Sequence, residues 1–234
     1  MLFVKNKDEI FYSTLCNKLT MELGDKCVSA VLAEDLDITI FDNHPPYISI
    51  GDTDILIAFA FGNRENVSGS KNELAQPGPM NKDLADCCAK AYRMKPMRMY
   101  VQWEIARYLA SKDMYPDIPA DDIVSIEPEW DDQGNLTYLS TDGVLQAIIN
   151  KHFGGNSASV GTAAVIGHGD HVKRCVMTCQ MRNVKGYALR EVTLPVWYDN
   201  QSAQTWTRRR DLYVLNDMAN RLMMVAQKNI LNSQ

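Results

Sequence analysis

Continuous apolar runs alternate with segments of helical periodicity along most of the chain. The clearest run, residues 55–61 (ILIAFAF), has no polar interruption, which is typical of a strand buried on both faces of a parallel sheet. Gly62 and Asn63 follow this run and end it. Shorter apolar stretches predict four more strands, over residues 97–102, 122–127, 162–167 and 187–195.

Helices are predicted between these strands because apolar residues recur three and four positions apart. The predicted helices cover residues 81–93, 105–112, 142–153, 171–181 and 212–225, with Asn81 as the cap of the first. Nearer the N-terminus, helices are predicted over residues 8–23 and 28–34, followed by a short extended piece at 37–42. The Pro45-Pro46 step ends that piece.

The alternation of strands and helices predicts an α/β fold built from parallel β-α-β units with right-handed crossovers. We expect a three-layer Rossmann-like sandwich with a mainly parallel sheet of about five strands and a helical N-terminal extension. The predicted boundary separates an extension over residues 1–50 from the α/β domain over residues 51–234. In such folds the site lies outside the carboxyl ends of the strands, near a topological switch point.

The loop over residues 63–80 is unusually long for a compact domain and is rich in Gly, Ser, Asn and Pro. Loops of this length are often functional, and the alternative is a surface insertion without a role. The sequence leaves both interpretations open.

Charge and composition narrow the class of protein. The net charge of -5 and the pI near 5.4 argue against a nucleic-acid binder, which needs a basic face to contact phosphates. The longest apolar run, residues 55–61, is far shorter than the ~20 residues of a membrane span, and the N-terminal sequence lacks the apolar core of a signal peptide. We therefore expect a cytoplasmic protein with no membrane association, whose six cysteines are reduced thiols.

Polar residues follow each predicted strand, where the site of an α/β protein is expected. The candidate ligand-binding residues at these positions are Gly62, Asn63, Gln102, Ser140 and Thr141. Ser140 and Thr141 are also adequately explained as a helix cap. No glycine-rich dinucleotide motif, P-loop or nucleophile elbow is present, which argues against a dehydrogenase, a P-loop enzyme or an α/β-hydrolase.

The segment over residues 167–174 (GHGDHVKR) is the densest polar cluster in the chain. His168, Asp170, His171 and Arg174 are candidate ligand contacts, because a helix N-terminus and an arginine fork both attract anions. A metal site formed by His168, Asp170 and His171 is a weaker alternative. The structural alternative makes Asp170 a helix cap and packs His171 against the sheet.

Two further features complete the candidate site. Glu104 follows an apolar strand beside Trp103, and a carboxyl group in such surroundings can have a raised pKa and serve in acid–base catalysis. A first-turn charge on a helix explains the same residue without any function. In the polar and aromatic segment 197–208, Trp206 could stack on a heterocyclic base and Arg208 could bind an anion.

The order of these motifs resembles the YdcF–SanA–ElyC family of bacterial proteins. The counterparts are residues 55–62, then Glu104-Ile-Ala106, then Ser140-Thr141, then GHGDHVKR, which resembles the Thr-x-x-x-His-x-x-Arg type segment of the family. The resemblance covers residues 52–225, and the last motif is the most specific. We expect no membrane anchor like that of the SanA and ElyC members, so the resemblance is closer to the soluble YdcF type.

The chain departs from the family at three places. The Ser-Gly-Gly segment expected after the second strand is replaced by VQWE, and Gly143-Val144 stands where the family has an Asn after its Thr motif. The segment over residues 197–208 is longer and more aromatic than the resemblance leads us to expect. These departures favour a changed ligand.

The resemblance implies a Rossmann-like fold and makes S-adenosylmethionine a candidate cofactor. Two functional hypotheses follow. The first is an enzyme, a transferase or hydrolase, that acts on a small anionic or nucleotide-like molecule, with His171 as general acid or electrostatic stabiliser and Glu104 as general base. The second is a non-catalytic protein that senses a nucleotide or S-adenosylmethionine, and a partner-binding module using residues 1–50 is a further alternative. The sequence predicts neither the substrate nor the oligomeric state.

Overall fold

The computed structural model describes residues 9–70 and 72–233, which form two compact units. The larger unit is Pro45–Asn216, and the smaller consists of the described residues of Met1–His44 and Asp217–Gln234. Residues 45–50, assigned to the N-terminal extension from sequence, therefore belong to the larger unit. Residues 217–233, assigned to the α/β domain, belong to the smaller one.

A six-stranded sheet organises the larger unit, and every neighbouring pair in it is parallel. Its strands are β1 (Tyr47–Ile48), β2 (Ile55–Ala58), β3 (Met99–Gln102), β4 (Ile123–Ile126), β7 (Thr162–Ile166) and β8 (Lys185–Leu189), in the order β1-β8-β7-β2-β3-β4. Two more short strands, β5 (Glu129–Trp130) and β6 (Leu136–Thr137), form an antiparallel hairpin. The structure thus confirms a parallel α/β sheet but adds a sixth strand to the five expected.

The missed strand and the misassigned fifth strand have simple causes. Strand β1 has only two residues, too few to show any periodicity, and it pairs with β8 at the edge of the sheet. Strand β8 begins at Lys185 and ends at Leu189, whereas the sequence predicted a strand over 187–195. The apolar residues after Leu189 belong to a loop.

Helices cover both faces of the sheet, because alternate residues of each buried strand point to opposite sides. Leu56 and Val101 pack with the face that carries α3 (Pro79–Met94) and α4 (Trp103–Leu109). Ile57 packs with the opposite face, which carries α5 (Thr141–His152) and α6 (Val172–Met181). This is the three-layer Rossmann-like sandwich expected from the sequence.

The first turn of α3 differs from the prediction in a way that matters for the site. Asn81 does not cap the helix, because Pro79 already occupies its first position and Gly78, with φ +76°, precedes it. The buried Asn81 side chain instead accepts a hydrogen bond from the N–H of Phe61 (2.8 Å) and donates one to the carbonyl of Gly62 (2.6 Å). It therefore holds the chain that leaves β2.

The smaller unit is helical, with α1 (Glu9–Leu23), α2 (Lys26–Leu36) and part of α7 (Arg210–Asn232). Asp8, where the first helix was predicted to start, lies outside the described residues. The extended piece predicted at 37–42 is wrong: Asp37–Phe41 forms a π-helical turn that continues directly from α2. No helix among residues 9–70 and 72–233 is long and apolar enough to cross a membrane.

The strand order places a topological switch point beside β2. The chain runs from β2 through α3 to β3 on one side, and from β7 through α6 to β8 on the other. The segments that follow β2 and β7 therefore diverge at the carboxyl edge of the sheet, where ligands bind in open α/β folds.

Candidate functional site at the carboxyl edge of the sheet

Gly62 and Asn63 follow β2 and pack closely against the loop that carries Ser202 and Thr207. Gly62 has φ +67°, and a Cβ at this position would lie 2.8 Å from Ser202 Oγ and 2.9 Å from Thr207 Oγ1. Asn63 is buried, and its carbonyl accepts hydrogen bonds from Ala203 N (2.8 Å) and Ser202 Oγ (3.2 Å). The structure therefore needs glycine at position 62 for local packing, whatever else this residue contacts.

Glu104 is the most unusual ionisable group at this edge. It lies in the first turn of α4, directly after β3, and only 2 % of its surface is exposed. Burial raises its pKa to about 8, although the α4 backbone and the Asn63 side chain hydrogen-bond to it and oppose this shift. Its Oε2 atom is buried and has no hydrogen-bond partner. At neutral pH this side chain is therefore mostly a neutral carboxylic acid.

The side-chain oxygen of Gln102 supports the fold at this edge. Its Oε1 atom accepts a hydrogen bond from the N–H of Ala60 (3.1 Å), which joins the end of β3 to the chain leaving β2. The contact supports the segment that carries Gly62 and Asn63. The contact uses only the side-chain oxygen, so a ligand contact through the Nε2 amide group of Gln102 stays a prediction.

Thr141, His171 and Arg174 come together although they lie on two different helices. Arg174 donates from Nη1 to Thr141 Oγ1 (3.1 Å), and the same oxygen lies 3.2 Å from His171 Nε2. Arg174 also donates from Nη2 to the Tyr213 hydroxyl (3.1 Å). Burial, helped by the charge of Arg174, lowers the pKa of His171 well below its ordinary value, so the ring is neutral at pH 7.

His168 and Asp170 are held by the protein itself. His168 accepts a hydrogen bond at Nδ1 from the N–H of Asp170 (3.2 Å), donates from Nε2 to the Trp197 carbonyl (3.0 Å) and stacks on Phe61 at 3.9 Å between ring centroids. Burial lowers the pKa of His168 to about 4. Asp170 accepts two hydrogen bonds from Arg210 (3.0 Å each) and one from the Tyr198 hydroxyl (2.6 Å).

These contacts weigh against two of the functions considered for segment 167–174. The N–H groups of Gly169, Asp170, His171 and Val172 already donate to the Pro195 carbonyl or to His168, so they are not free to hold an anion. The described residues contain no cluster of three metal-binding side chains, and both ring nitrogens of His168 are engaged. The metal alternative is therefore not supported.

The pairing of Asp170 with Arg210 leads to a stability prediction. Asp170 is 4 % exposed, so Arg210→Ala leaves a buried carboxylate with fewer hydrogen bonds and should lower the free energy of unfolding by about 2 kcal/mol at pH 7. Arg209→Ala is the matched control, because Arg209 pairs with Asp211 on the surface. Its loss should change the free energy of unfolding by no more than about 0.5 kcal/mol. Urea denaturation of both variants measures the difference.

The pH dependence of this effect has a defined sign. Burial raises the pKa of Asp170, but the hydrogen bonds from Arg210 and Tyr198 outweigh burial and leave it below its ordinary value. The stability gained from this pairing is present above the ordinary pKa of an aspartate, and it is lost as the pH falls through the lowered pKa. Equal losses for Arg210→Ala and Arg209→Ala at pH 7 would contradict the assignment.

The remaining predicted residues are dispersed. Ser140 caps α5 by accepting a hydrogen bond from Gly143 N (3.1 Å). This is the helix cap that the sequence offered as the alternative to ligand binding. Arg208 donates from Nε to the Ser202 carbonyl (2.6 Å), in the loop that packs against Gly62. Trp206 lies in a short 3₁₀ turn and is 46 % exposed, so its ring remains accessible for stacking.

Sequence reasoning missed several residues that shape this edge. Phe61, Tyr198 and Tyr213 surround His168 and His171 with aromatic rings, at centroid separations of 3.9–6.2 Å. Tyr213 belongs to α7, and in the sequence it looks like one more apolar residue of that helix. Of the three, only Tyr198 could have been suspected from the sequence, because it lies in the polar and aromatic segment 197–208.

The fold and this arrangement of side chains define an α/β protein of the Rossmann-like class, with polar residues gathered at the carboxyl edge of a parallel sheet. Comparisons of the chain with family models, with curated proteins and with solved structures found no match.

Proposed function

We propose that this protein binds a small anionic or nucleotide-like ligand at the carboxyl edge of its sheet and acts on it by acid–base chemistry, as a transferase or hydrolase. The observation that carries the proposal is the buried carboxyl group of Glu104, which follows β3 at the carboxyl edge of the sheet and whose Oε2 atom has no hydrogen-bond partner. An unpartnered buried polar group costs about 1–3 kcal/mol, and such a cost is typical of functional sites.

The electrostatics of the edge support an anionic ligand. Because Glu104 is mostly protonated at pH 7, it adds little negative charge and can donate a hydrogen bond to a ligand oxygen. Arg174 supplies a guanidinium group, which suits a phosphate or carboxylate. The exposed ring of Trp206 offers a surface on which a base could stack.

The protonation states favour different catalytic roles from those expected from the sequence. A buried, neutral His171 cannot act as a general acid at pH 7 by donating from an imidazolium, whereas the protonated Glu104 can act as one. In this proposal Glu104 is the acid, and Asn63, which hydrogen-bonds to it, orients it.

S-adenosylmethionine is the particular ligand suggested by the resemblance to the YdcF-type proteins. Its carboxylate suits the guanidinium of Arg174, and its ribose hydroxyls suit the unpartnered oxygen of Glu104 and the amide of Asn63. When bound, this compound would supply a transferable methyl group.

A thermal-shift screen tests the proposal, with nucleotides, phosphosugars and S-adenosylmethionine as probes. A compound at about 100 times its dissociation constant adds about 2.7 kcal/mol to the free energy of unfolding, which is readily seen as a higher Tm. We expect the ligand-dependent shift to disappear in Arg174→Ala. It should persist in Arg93→Ala, because Arg93 pairs with Asp117 on the surface in the last turn of α3, at the opposite end of that helix from the carboxyl edge.

The variants are compared by the shift that each compound causes, so a lower Tm of Arg174→Ala alone does not affect the result. Loss of the shift in both arginine variants, or in neither, would contradict the assigned site. Mass spectrometry of the incubated compound then separates an enzyme from a sensor, because only an enzyme yields a product.

A further inference from the structure

The ring of His171 is buried but only half partnered. Its Nε2 atom lies 3.2 Å from Thr141 Oγ1, whereas its Nδ1 atom is buried without a hydrogen-bond partner. His171 directly precedes α6 as its N-cap residue, yet its side chain makes no capping hydrogen bond.

The hydrogen-bond directions at Thr141 lead to one tautomer of this ring. A guanidinium group has only donors, so Thr141 Oγ1 must be the acceptor in its contact with Arg174 Nη1. The hydroxyl hydrogen of Thr141 is then available to His171 Nε2, which accepts it. A neutral imidazole has one N–H, and that N–H is therefore at Nδ1. The other tautomer leaves both the threonine hydrogen and the buried Nδ1 lone pair without a protein partner among the described residues.

We infer that His171 is held in its Nδ1–H tautomer by Thr141, and that this N–H donates a hydrogen bond to an oxygen of the bound ligand. The inference rests on the proposed function for the identity of the acceptor and deepens it. A neutral imidazole N–H in a buried site suits a phosphoryl, carboxylate or carbonyl oxygen that gains negative charge during the reaction. Thr141 acts here as a positioning residue, and Arg174 directs its hydroxyl.

Nitrogen-15 NMR of the imidazole rings in the full chain tests the tautomer without any ligand. We expect opposite patterns for the two buried histidines, Nδ1–H in His171 and Nε2–H in His168, because His168 donates from Nε2 to the Trp197 carbonyl. Thr141→Val keeps the shape of the side chain but removes its hydroxyl, so the Nε2–H form of His171 should gain population. Thr141→Ser retains the hydroxyl and should retain the Nδ1–H form. An Nε2–H signal from His171 in the unchanged protein would overturn the inference.

Inorganic phosphate tests the role as a donor. We expect titration with phosphate to move the Nδ1–H resonance of His171 in the unchanged protein and in Thr141→Ser, with at least a tenfold weaker response in Thr141→Val. If phosphate raises the Tm but leaves the resonance in place, the donor role is wrong and the proposed anion site stands. If phosphate neither raises the Tm nor moves the resonance, the anion site and the donor role both fail, while the tautomer is judged from the ligand-free spectra.

Discussion

Glu104→Gln should raise the free energy of unfolding by about 3 kcal/mol at pH 7, the opposite of what most substitutions of buried residues do. The side chain is 2 % exposed, and burial raises its pKa from 4.5 to about 8. Glutamine has nearly the same shape and no proton to lose. At pH 7 the native carboxyl group ionises on unfolding, and this ionisation stabilises the unfolded state relative to the folded state. Glutamine cannot ionise, so the variant does not lose this free energy of unfolding.

The pH dependence of this gain follows from the direction of the shift. The folded state of the native protein binds more protons than the unfolded state between pH 4.5 and about 8, so its stability falls as the pH rises through this range. We expect Glu104→Gln to match the native protein near pH 4 and to exceed it increasingly up to about pH 8. Urea denaturation at several pH values measures both curves.

Glu191→Gln provides a control with the opposite sign. The hydrogen bond from Ser49 holds the pKa of Glu191 below its ordinary value, and the same carboxylate accepts the N–H of Ile50. This substitution should therefore lower stability at neutral pH. A destabilised Glu104→Gln, or a gain that does not vary with pH, would show that Glu104 is ionised in the folded protein and would remove its role as an acid.

Gly186→Ala should lower the free energy of unfolding by about 3 kcal/mol, because there is no room for a methyl group where β8 meets α6. A Cβ at position 186 would lie 2.5 Å from Cys179 Cβ, 2.8 Å from Cys179 Sγ and 3.2 Å from Val165 Cγ2. The nearest of these atoms is attached directly to the backbone of α6, so no change of rotamer relieves the contact. The helix itself must move away from the sheet.

Gly51→Ala is the matched control for this substitution. Its nearest neighbour would be Ser49 Oγ at 3.9 Å, which is ordinary van der Waals contact. We expect its free energy of unfolding to differ from that of the native protein by less than about 0.5 kcal/mol. Thermal and urea denaturation of the two alanine variants give the comparison, and a well-tolerated Gly186→Ala would mean that α6 does not pack on β8 as closely as described.

The substitution at Gly186 also affects the proposed site. Helix α6 carries Arg174 and follows His171, so a displaced α6 would disturb their hydrogen bonds to Thr141. We expect Gly186→Ala to weaken any anion-dependent thermal shift. The effect would be indirect, because the added methyl group would meet Cys179 and Val165 rather than Thr141, His171 or Arg174. Gly51→Ala, which has room for its methyl group, should leave the thermal shift unchanged.

Much of the fold is predictable from the chain because its signals are local. The apolar run that became β2 and the alternation of strands with helices were sufficient to predict a parallel α/β sandwich. Elements without such a signal were missed or misassigned: β1 is too short to be periodic, and the turn at Asp37–Phe41 is helical although its composition favours an extended segment.

For the candidate site, the sequence alone determined which polar residues follow the strands. Because ligand sites of α/β folds lie at the carboxyl ends of the strands, this order predicted one edge of the sheet for Asn63, Glu104, Thr141, His171 and Arg174. Only the tertiary structure decided what each can do. In the folded chain, His168 hydrogen-bonds to the carbonyl of Trp197 and Asp170 accepts a hydrogen bond from Tyr198. Glu104 and His171 are buried, and burial shifts both pKa values so that both side chains are mostly neutral at pH 7. The reason is physical: a pKa and a hydrogen-bond partner depend on atoms that are close in space and distant in sequence, whereas helical and strand periodicity depend on neighbours along the chain.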